Sequence, residues 1–340
     1  MLQRYIPITI IFTLIASLLG ACGQIDSVPS TVTSQPTIAT STNIPVTPTD
    51  MPTATPKPEI LTYDQALPLF NYDSSVPFDV VVISEKKKDE AIIQDLTYSA
   101  ADPNYTSQTA GKIAAYLVKP SKTGSYAGIV YLHGLGGSWG NRKEFLDEAV
   151  SLAQQGVISL LPTGQFPWVV SYTGVGEKDQ LNVIKQVIEL RRSFDFLLSQ
   201  PGVDPQRIAF VGHDYGAMNG AVLSGVEKRI KAYVLMAGDT NYTDWDIMYF
   251  SSPANKDIYR KLMSAVDPIT YLPHAAPAQL FFQFGGFDSF IPKEAADESF
   301  NAASEPKKFG WYDSADHHML DKQSDLERLA WLKQQLSLKP

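Results

Sequence analysis

The stretch Arg207-Ile208-Ala209-Phe210-Val211-Gly212-His213-Asp214-Tyr215-Gly216-Ala217 decides how this chain folds. Residues 207–211 read as a short buried strand, and the small apolar residues from Ala217 to Leu223 read as a helix. A strand that turns directly into a helix crowds its own backbone. Glycines two residues before and after the central position relieve that crowding, and the turn pushes the central side chain out at the end of the sheet. Gly212 and Gly216 stand at those two positions around Asp214. The plain alternative is an aspartate capping a helix in an ordinary turn.

Working outward, Gly128–Leu132, Val157–Leu161, Ala232–Met236, Gln279–Phe284 and Lys308–Tyr312 are further short strands. They alternate with helix-like stretches at 141–155, 181–199, 293–303 and 324–336. Continuous apolar strands alternating with helices predict an α/β fold with a mostly parallel sheet covered on both faces. Before them, Phe78–Ser84, Ala91–Tyr98 and Lys112–Val118 are strand-like with short connections, which predicts an antiparallel start to the sheet. The basic run Lys86-Lys87-Lys88 is followed at once by Asp89-Glu90 and reads as a solvated turn between the first two strands.

Composition narrows the function. Of 340 residues, 44% are hydrophobic and 19% charged, as in an ordinary globular protein, and the net charge is −8. Phosphate backbones are held by an excess of Lys and Arg, so nucleic acid is excluded as an expected partner. The one cysteine, Cys22, rules out an intrachain disulfide. It ends an apolar run from Ile6 to Leu19 that follows Arg4 and is too short to cross a hydrocarbon core of about 30 Å comfortably. The tetrapeptide Leu19-Gly20-Ala21-Cys22 resembles a bacterial lipobox. That resemblance implies a signal peptide over residues 1–21, lipid on the Cys22 thiol, and a place in the cell envelope tethered to membrane. A plain secretory signal or a transmembrane anchor is the alternative. Residues 22–58 are rich in Thr, Pro and Ser and form an extended spacer, leaving 59–340 as the folded domain.

In a parallel sheet the reactive groups gather at the carboxyl ends of the strands. Four loops fall there. The first carries Asp214. The second, His133-Gly134-Leu135-Gly136-Gly137, follows Leu132 and lets backbone N–H groups point at a developing oxyanion. Leu135 and Tyr215, the residue after Asp214, are the expected donors. The third, Gly285-Gly286-Phe287-Asp288, places an acid where it would orient a histidine, and the fourth, Asp313-Ser314-Ala315-Asp316-His317-His318, supplies one.

With nucleophile, acid and histidine in that chain order, the chain from about Phe78 onward resembles the dienelactone hydrolase-like branch of the α/β-hydrolase superfamily. Val130-Tyr131-Leu132-His133-Gly134, Asp204 to His213, Asp267-Pro268-Ile269 and Phe284-Gly285-Gly286-Phe287-Asp288 carry the likeness. The family usually has Ala-Gly-His where this chain has Ala315-Asp316-His317, so the resemblance implies His317 as the catalytic histidine, with His318 as the alternative. It also implies that His213 packs beneath the turn; His274 reads as structural.

The family's usual serine is replaced by Asp214. A serine needs its histidine to remove a proton before attack, whereas a carboxylate is an anion at neutral pH. Three readings follow. The first is a hydrolase of an ester-like or other small electrophilic substrate, using Asp214, His317 and Asp288. The second is an aspartate-nucleophile enzyme for carbon–halogen or epoxide bonds. The third is a non-catalytic binding protein displayed at the surface. Tyr215 stands where dehalogenases carry a Trp, and the glycine loop lacks the proline usual in epoxide hydrolases. The segment from Gly238 to Pro277 is too short for a full helical cap, although Tyr242, Trp245, Tyr249 and Phe250 suit either a small lid or plain surface-loop packing. No metal cluster or phosphate loop is visible, so the expected partner is a small-molecule substrate with no cofactor.

Overall fold

The computed structural model describes residues 59–102, 111–135, 140–250 and 252–338. The signal-like segment, Cys22 and the spacer to residue 58 lie outside the described residues. Nine strands form one sheet: β1 (Val81–Lys88), β2 (Ala91–Ser99), β3 (Lys112–Pro120), β4 (Tyr126–Leu132), β5 (Val157–Pro162), β6 (Val203–His213), β7 (Ala232–Met236), β8 (Gln279–Gly285) and β9 (Lys307–Tyr312). The spatial order is β1-β2-β3-β5-β4-β6-β7-β8-β9. The pairs β1–β2, β2–β3 and β3–β5 are antiparallel, and every pair from β5–β4 to β8–β9 is parallel.

Nine α-helices accompany the sheet among the described residues. They are α1 (Tyr63–Ala66), α2 (Leu146–Ala153), α3 (Gly176–Leu198), α4 (Tyr215–Val226), α5 (Tyr242–Tyr249), α6 (Lys256–Met263), α7 (Pro268–Tyr271), α8 (Lys293–Ala302) and α9 (Lys322–Gln335). The apolar runs of the central strands are explained by two cores. Side chains alternate along a strand, so both faces must be covered to bury an unbroken run. Ile208 and Phe210 of β6 join Val187, Leu190 and Phe194 of α3 and Met218 and Val222 of α4. Ala209 and Val211 join Ala149 and Leu152 of α2 and Trp331 and Leu332 of α9 on the opposite face. Each fully buried Leu, Ile, Val or Phe contributes about 1.5–3 kcal/mol.

This is the α/β-hydrolase fold, as the sequence predicts. The strand order reverses between β4 and β6, since the chain runs from β4 outward to β5 and then returns to β6 on the other side. That reversal opens a crevice at the carboxyl ends of β4 and β6, where ligands of open α/β sheets bind.

Three local expectations are corrected. Lys86-Lys87-Lys88 lies within β1, not in a turn, because β1 is an edge strand exposed along its whole length and can solvate charges. The turn itself is Asp89-Glu90, with Asp89 at φ 54°. The helix expected from residue 141 starts at Leu146, because Asn141 ties back the amide of Lys143 (2.9 Å) and its carbonyl takes that of Glu144 (2.9 Å). The helix expected from residue 181 starts at Gly176, where the buried Asp179 carboxylate accepts the Thr173 and Gly174 amides at 2.8 and 2.9 Å and fixes the approach. Among the described residues no helix is long and apolar enough to cross a membrane.

Candidate active site

Asp214 sits between β6 and α4 at φ 54°, ψ −119°, a conformation L-residues rarely adopt. Strain of this kind costs about 1–3 kcal/mol and persists only where surroundings enforce it. Here the enforcement is mutual contact. The Asp214 amide donates to the Met236 carbonyl of β7 (2.8 Å), and its carbonyl accepts from Met218 of α4 (3.0 Å). A Cβ on Gly216 would meet the Leu132 carbonyl oxygen at 2.2 Å, and one on Gly212 would meet the Gly216 oxygen at 2.3 Å. Only glycine lets α4 start this close to β4.

The structure brings Asp214, Leu135, His317 and Asp288 together from four loops. His317 Nδ1 lies 2.9 Å from Asp288 Oδ2, and its Nε2 lies 3.6 Å from Asp214 Oδ1. Asp288 is pinned on its other oxygen by the amides of Phe290 (2.8 Å) and Ile291 (3.0 Å). The Leu135 amide donates to Asp214 Oδ2 at 2.7 Å. Oδ1 is buried and has no hydrogen-bond partner. Tyr215 opens α4 beside them. Of the two neighbouring histidines it is His317 whose ring lies against both carboxylates, while His318 is exposed. His274, also exposed, stacks on Tyr63 away from this cluster.

The Leu135 amide is aimed by its own peptide group. Gly134 O, on the other side of that peptide, accepts from Trp168 Nε1 (2.8 Å) and contacts His133 Nδ1 (2.9 Å). Since His133 Nε2 accepts from the Gly164 amide (3.0 Å), Nδ1 is the protonated nitrogen and also donates to Gly134 O. Burial favours this neutral form and holds the His133 pKa below the ordinary histidine value. Two donors on the carbonyl polarise the N–H that faces Asp214.

The charge state of His317 is set by competing causes. Burial lowers its pKa, but the close carboxylates of Asp214 and Asp288 outweigh that and lift it to about 10. At neutral pH it is therefore an imidazolium between two carboxylates. Aromatic rings roof it: Phe290 with ring centres 4.8 Å apart and Trp245 stacked at 6.3 Å. The Trp245 indole N–H donates to the Tyr215 hydroxyl at 2.6 Å. Trp245 belongs to α5, so within the segment from Gly238 to Pro277 it is α5 that forms a small lid over His317. Its first turn is held by Asp267, whose Oδ1 accepts the Tyr242 amide at 2.8 Å and whose carboxyl burial pushes up to about 8. A cavity of about 280 Å³ lies against Asp288, Trp245, Met248, Tyr249 and Phe290. Among the described residues no group of three or more His, Cys, Asp or Glu side chains is arranged to hold a metal ion.

Two contributors had no sequence signal strong enough to find them. Trp168 follows β5 in a stretch without a motif, and Glu144 looks like one acid in a helical run. Both reach the site only through the sheet order.

Comparison with known proteins agrees with this class of fold. A family model described as alpha/beta hydrolase fold matches residues 129–262. Acetyl xylan esterase 1 of Thermoanaerobacterium sp. superposes with a TM-score of 0.64 at 16% identity, covering 82% of this chain and 95% of that one. The acetyl xylan esterase of Paenibacillus sp. R4 gives 0.63 at 18% identity, covering 83% and 97%. In sequence, a polyketide transferase of Stachybotrys chlorohalonatus is 31% identical over 105 residues, which are 29% of this chain. That match spans only 33% of the transferase.

Proposed function

We propose that this chain is a hydrolase that opens a small electrophilic substrate through a covalent aspartyl ester on Asp214. The observation that carries this reading is the Leu135 N–H on Asp214 Oδ2. In a serine enzyme such a donor holds the oxygen of the substrate carbonyl. Here it already holds the protein's own carboxylate, and Oδ1 remains as the attacking atom. Attack of Oδ1 on a saturated carbon breaks the bond to the leaving group, which departs with the electron pair. The resulting ester has no charge at Asp214, so His317 loses one of the two carboxylates that keep it protonated and gives up its proton to the departing leaving group. As a neutral base held by Asp288, it then takes a proton from water attacking Cγ of Asp214. The oxyanion formed on Oδ2 faces Leu135 N–H and, in this reading, Tyr215 N–H. Collapse expels the alkoxide, which takes the proton from His317 and leaves as the alcohol; the Asp214 carboxylic acid that remains passes its proton to His317, restoring the carboxylate and the imidazolium.

An ester-like substrate is the second reading, favoured by the esterases that share the fold. Its carbonyl oxygen would have to displace Asp214 Oδ2 from Leu135, and attack would yield an anhydride. Single turnover in heavy-oxygen water, with a panel of haloalkanes, epoxides and activated esters, tests the proposal. Label in the Asp214 peptide is expected with a substrate attacked at saturated carbon. Turnover that leaves Asp214 unlabelled would overturn covalent catalysis, and absence of turnover with ligand binding indifferent to Asp214→Ala would favour a binding protein. The motif at Cys22 supports display on the outer side of a membrane through lipid; loss of acyl labelling in Cys22→Ala is the expected result, and retained labelling would refute it.

A further inference from the structure

Beneath Asp214 lies a second pair of titratable groups that the mechanism above does not use. Glu144, in the turn before α2, accepts the Gly134 amide on Oε2 at 2.9 Å and sets Oε1 2.7 Å from His213 Nδ1, an ion-pair contact not aligned as a hydrogen bond. His213 Nε2 in turn lies 2.7 Å from the backbone carbonyl oxygen of His317. Gly134 immediately precedes the oxyanion donor Leu135, His213 immediately precedes Asp214, and His317 is the candidate base. One carboxylate thus touches, directly or through one imidazole, the loops after β4, β6 and β9.

The contacts dictate a proton count. A carbonyl oxygen only accepts, so His213 Nε2 carries a hydrogen. Nδ1 lies against a carboxyl oxygen, and a bare ring nitrogen against a bare carboxylate at 2.7 Å would be repulsive. A second proton therefore sits in the pair. Glu144 also accepts from Gly134 N–H, and its pKa is held below the ordinary glutamate value, with burial opposed and outweighed by His213, Gly134 N–H and His133. The His213 pKa is raised, burial being outweighed by Glu144 and Asp214 while His317 opposes. Both place the proton on the imidazole. The fit admits no side chain between the loops, because a Cβ on Gly134 would meet His213 Nδ1 at 2.7 Å.

We infer that Glu144 and His213 form a buried carboxylate–imidazolium pair that holds the oxyanion loop, the Asp214 turn and the His317 loop in register, making both of them positioning residues. Their being positioning residues for catalysis rests on the proposed roles of Asp214 and His317, whereas the pair and its charge do not. Histidine-selective 15N NMR on the full-length chain tests the charge without any substrate. His213 is expected to show two protonated ring nitrogens at pH 7 and to titrate above the ordinary histidine range. Glu144→Gln is expected to keep the geometry, with the amide donating to Nδ1 and accepting from Gly134, and to convert His213 to the neutral form protonated only at Nε2. Glu144→Ala is expected to speed amide exchange at Leu135 by about tenfold or more, the scale of losing a charge-assisted hydrogen bond. A neutral His213 in the wild-type protein, or an imidazolium that survives in Glu144→Gln, would overturn the inference. Should Glu144→Ala not fold, the wild-type and Glu144→Gln spectra still decide it. Inactivity of the wild-type protein toward every substrate, with these spectra as expected, would count against the proposed function alone.

Discussion

Leu135 N–H lies 2.7 Å from Asp214 Oδ2, so the backbone donor at the end of β4 is engaged by the protein's own carboxylate. Replacing Asp214 with serine would vacate that donor, supply a hydroxyl, and leave His317 facing one carboxylate. The His317 pKa then falls from about 10 toward the ordinary range, where it serves as a general base. Asp214→Ser is expected to hydrolyse p-nitrophenyl acetate at least about tenfold faster than the wild type, in keeping with typical general-base contributions of about 100-fold or more. A folded variant with no gain would show that Leu135 N–H is not a usable oxyanion donor.

The same ion cluster predicts a pH dependence of stability. His317 has a folded pKa of about 10, above its ordinary value of 6.5. A group whose pKa rises on folding stabilises the native state fully below its unfolded pKa, and that contribution is lost as pH climbs through the folded value. The melting-temperature advantage of wild type over His317→Gln is therefore expected to be largest near about pH 6 and to shrink toward about pH 10. Differential scanning calorimetry across that interval measures it. An advantage that stays constant or grows with pH would contradict the charged state assigned to His317.

The sheet and the Asp214 turn are legible in the sequence because they depend on local features: apolar runs of strand length, glycines at fixed offsets, and a following helix. Leu135, Asp288 and the His317-His318 pair are legible because their loops follow recognisable strands in a fixed order. The choice between His317 and His318 is not, since a one-residue shift in a turn changes which ring points inward. Glu144 and Trp168 are invisible for a different reason. Their roles come from the placement of β4 between β5 and β6, which brings the loops after three strands into contact. Lys86-Lys87-Lys88 misleads because charge marks exposure, and an edge strand is as exposed as a turn.

The lid is coupled to the Asp214 turn by the 2.6 Å bond from Trp245 Nε1 to the Tyr215 hydroxyl, both residues being buried. Trp245→Phe retains most of the ring and removes the donor. Losing a partner for a buried hydroxyl costs about 1–3 kcal/mol, so a melting temperature lower by a few degrees is expected. Met248→Ala, at an exposed position of α5, serves as the control and is expected to change stability little. Equal melting temperatures for Trp245→Phe and wild type would mean that the lid rests on Tyr215 without being held by it.

The tightest constraint in the site is steric. Any side chain at Gly216 places its Cβ 2.2 Å from the Leu132 carbonyl oxygen and 2.9 Å from that of His133, both backbone atoms at the end of β4. Neither can rotate away as a side chain would, so α4 must move off the sheet or β4 must bend. Either movement shifts Leu135 relative to Asp214, because the two lie on the elements being forced apart. Gly216→Ala is therefore expected to cost about 3 kcal/mol or more, at or beyond the upper end for overpacked sites. It is also expected to lengthen the Leu135–Asp214 contact, seen as faster exchange of the Leu135 amide in whatever protein folds. Thermal unfolding and hydrogen exchange read the two effects separately. If the variant melts within about 1 °C of wild type, a shift that corresponds to well under 1 kcal/mol in a domain of this size, then α4 can move away from β4 freely. In that case the strained backbone of Asp214 is not enforced by this contact.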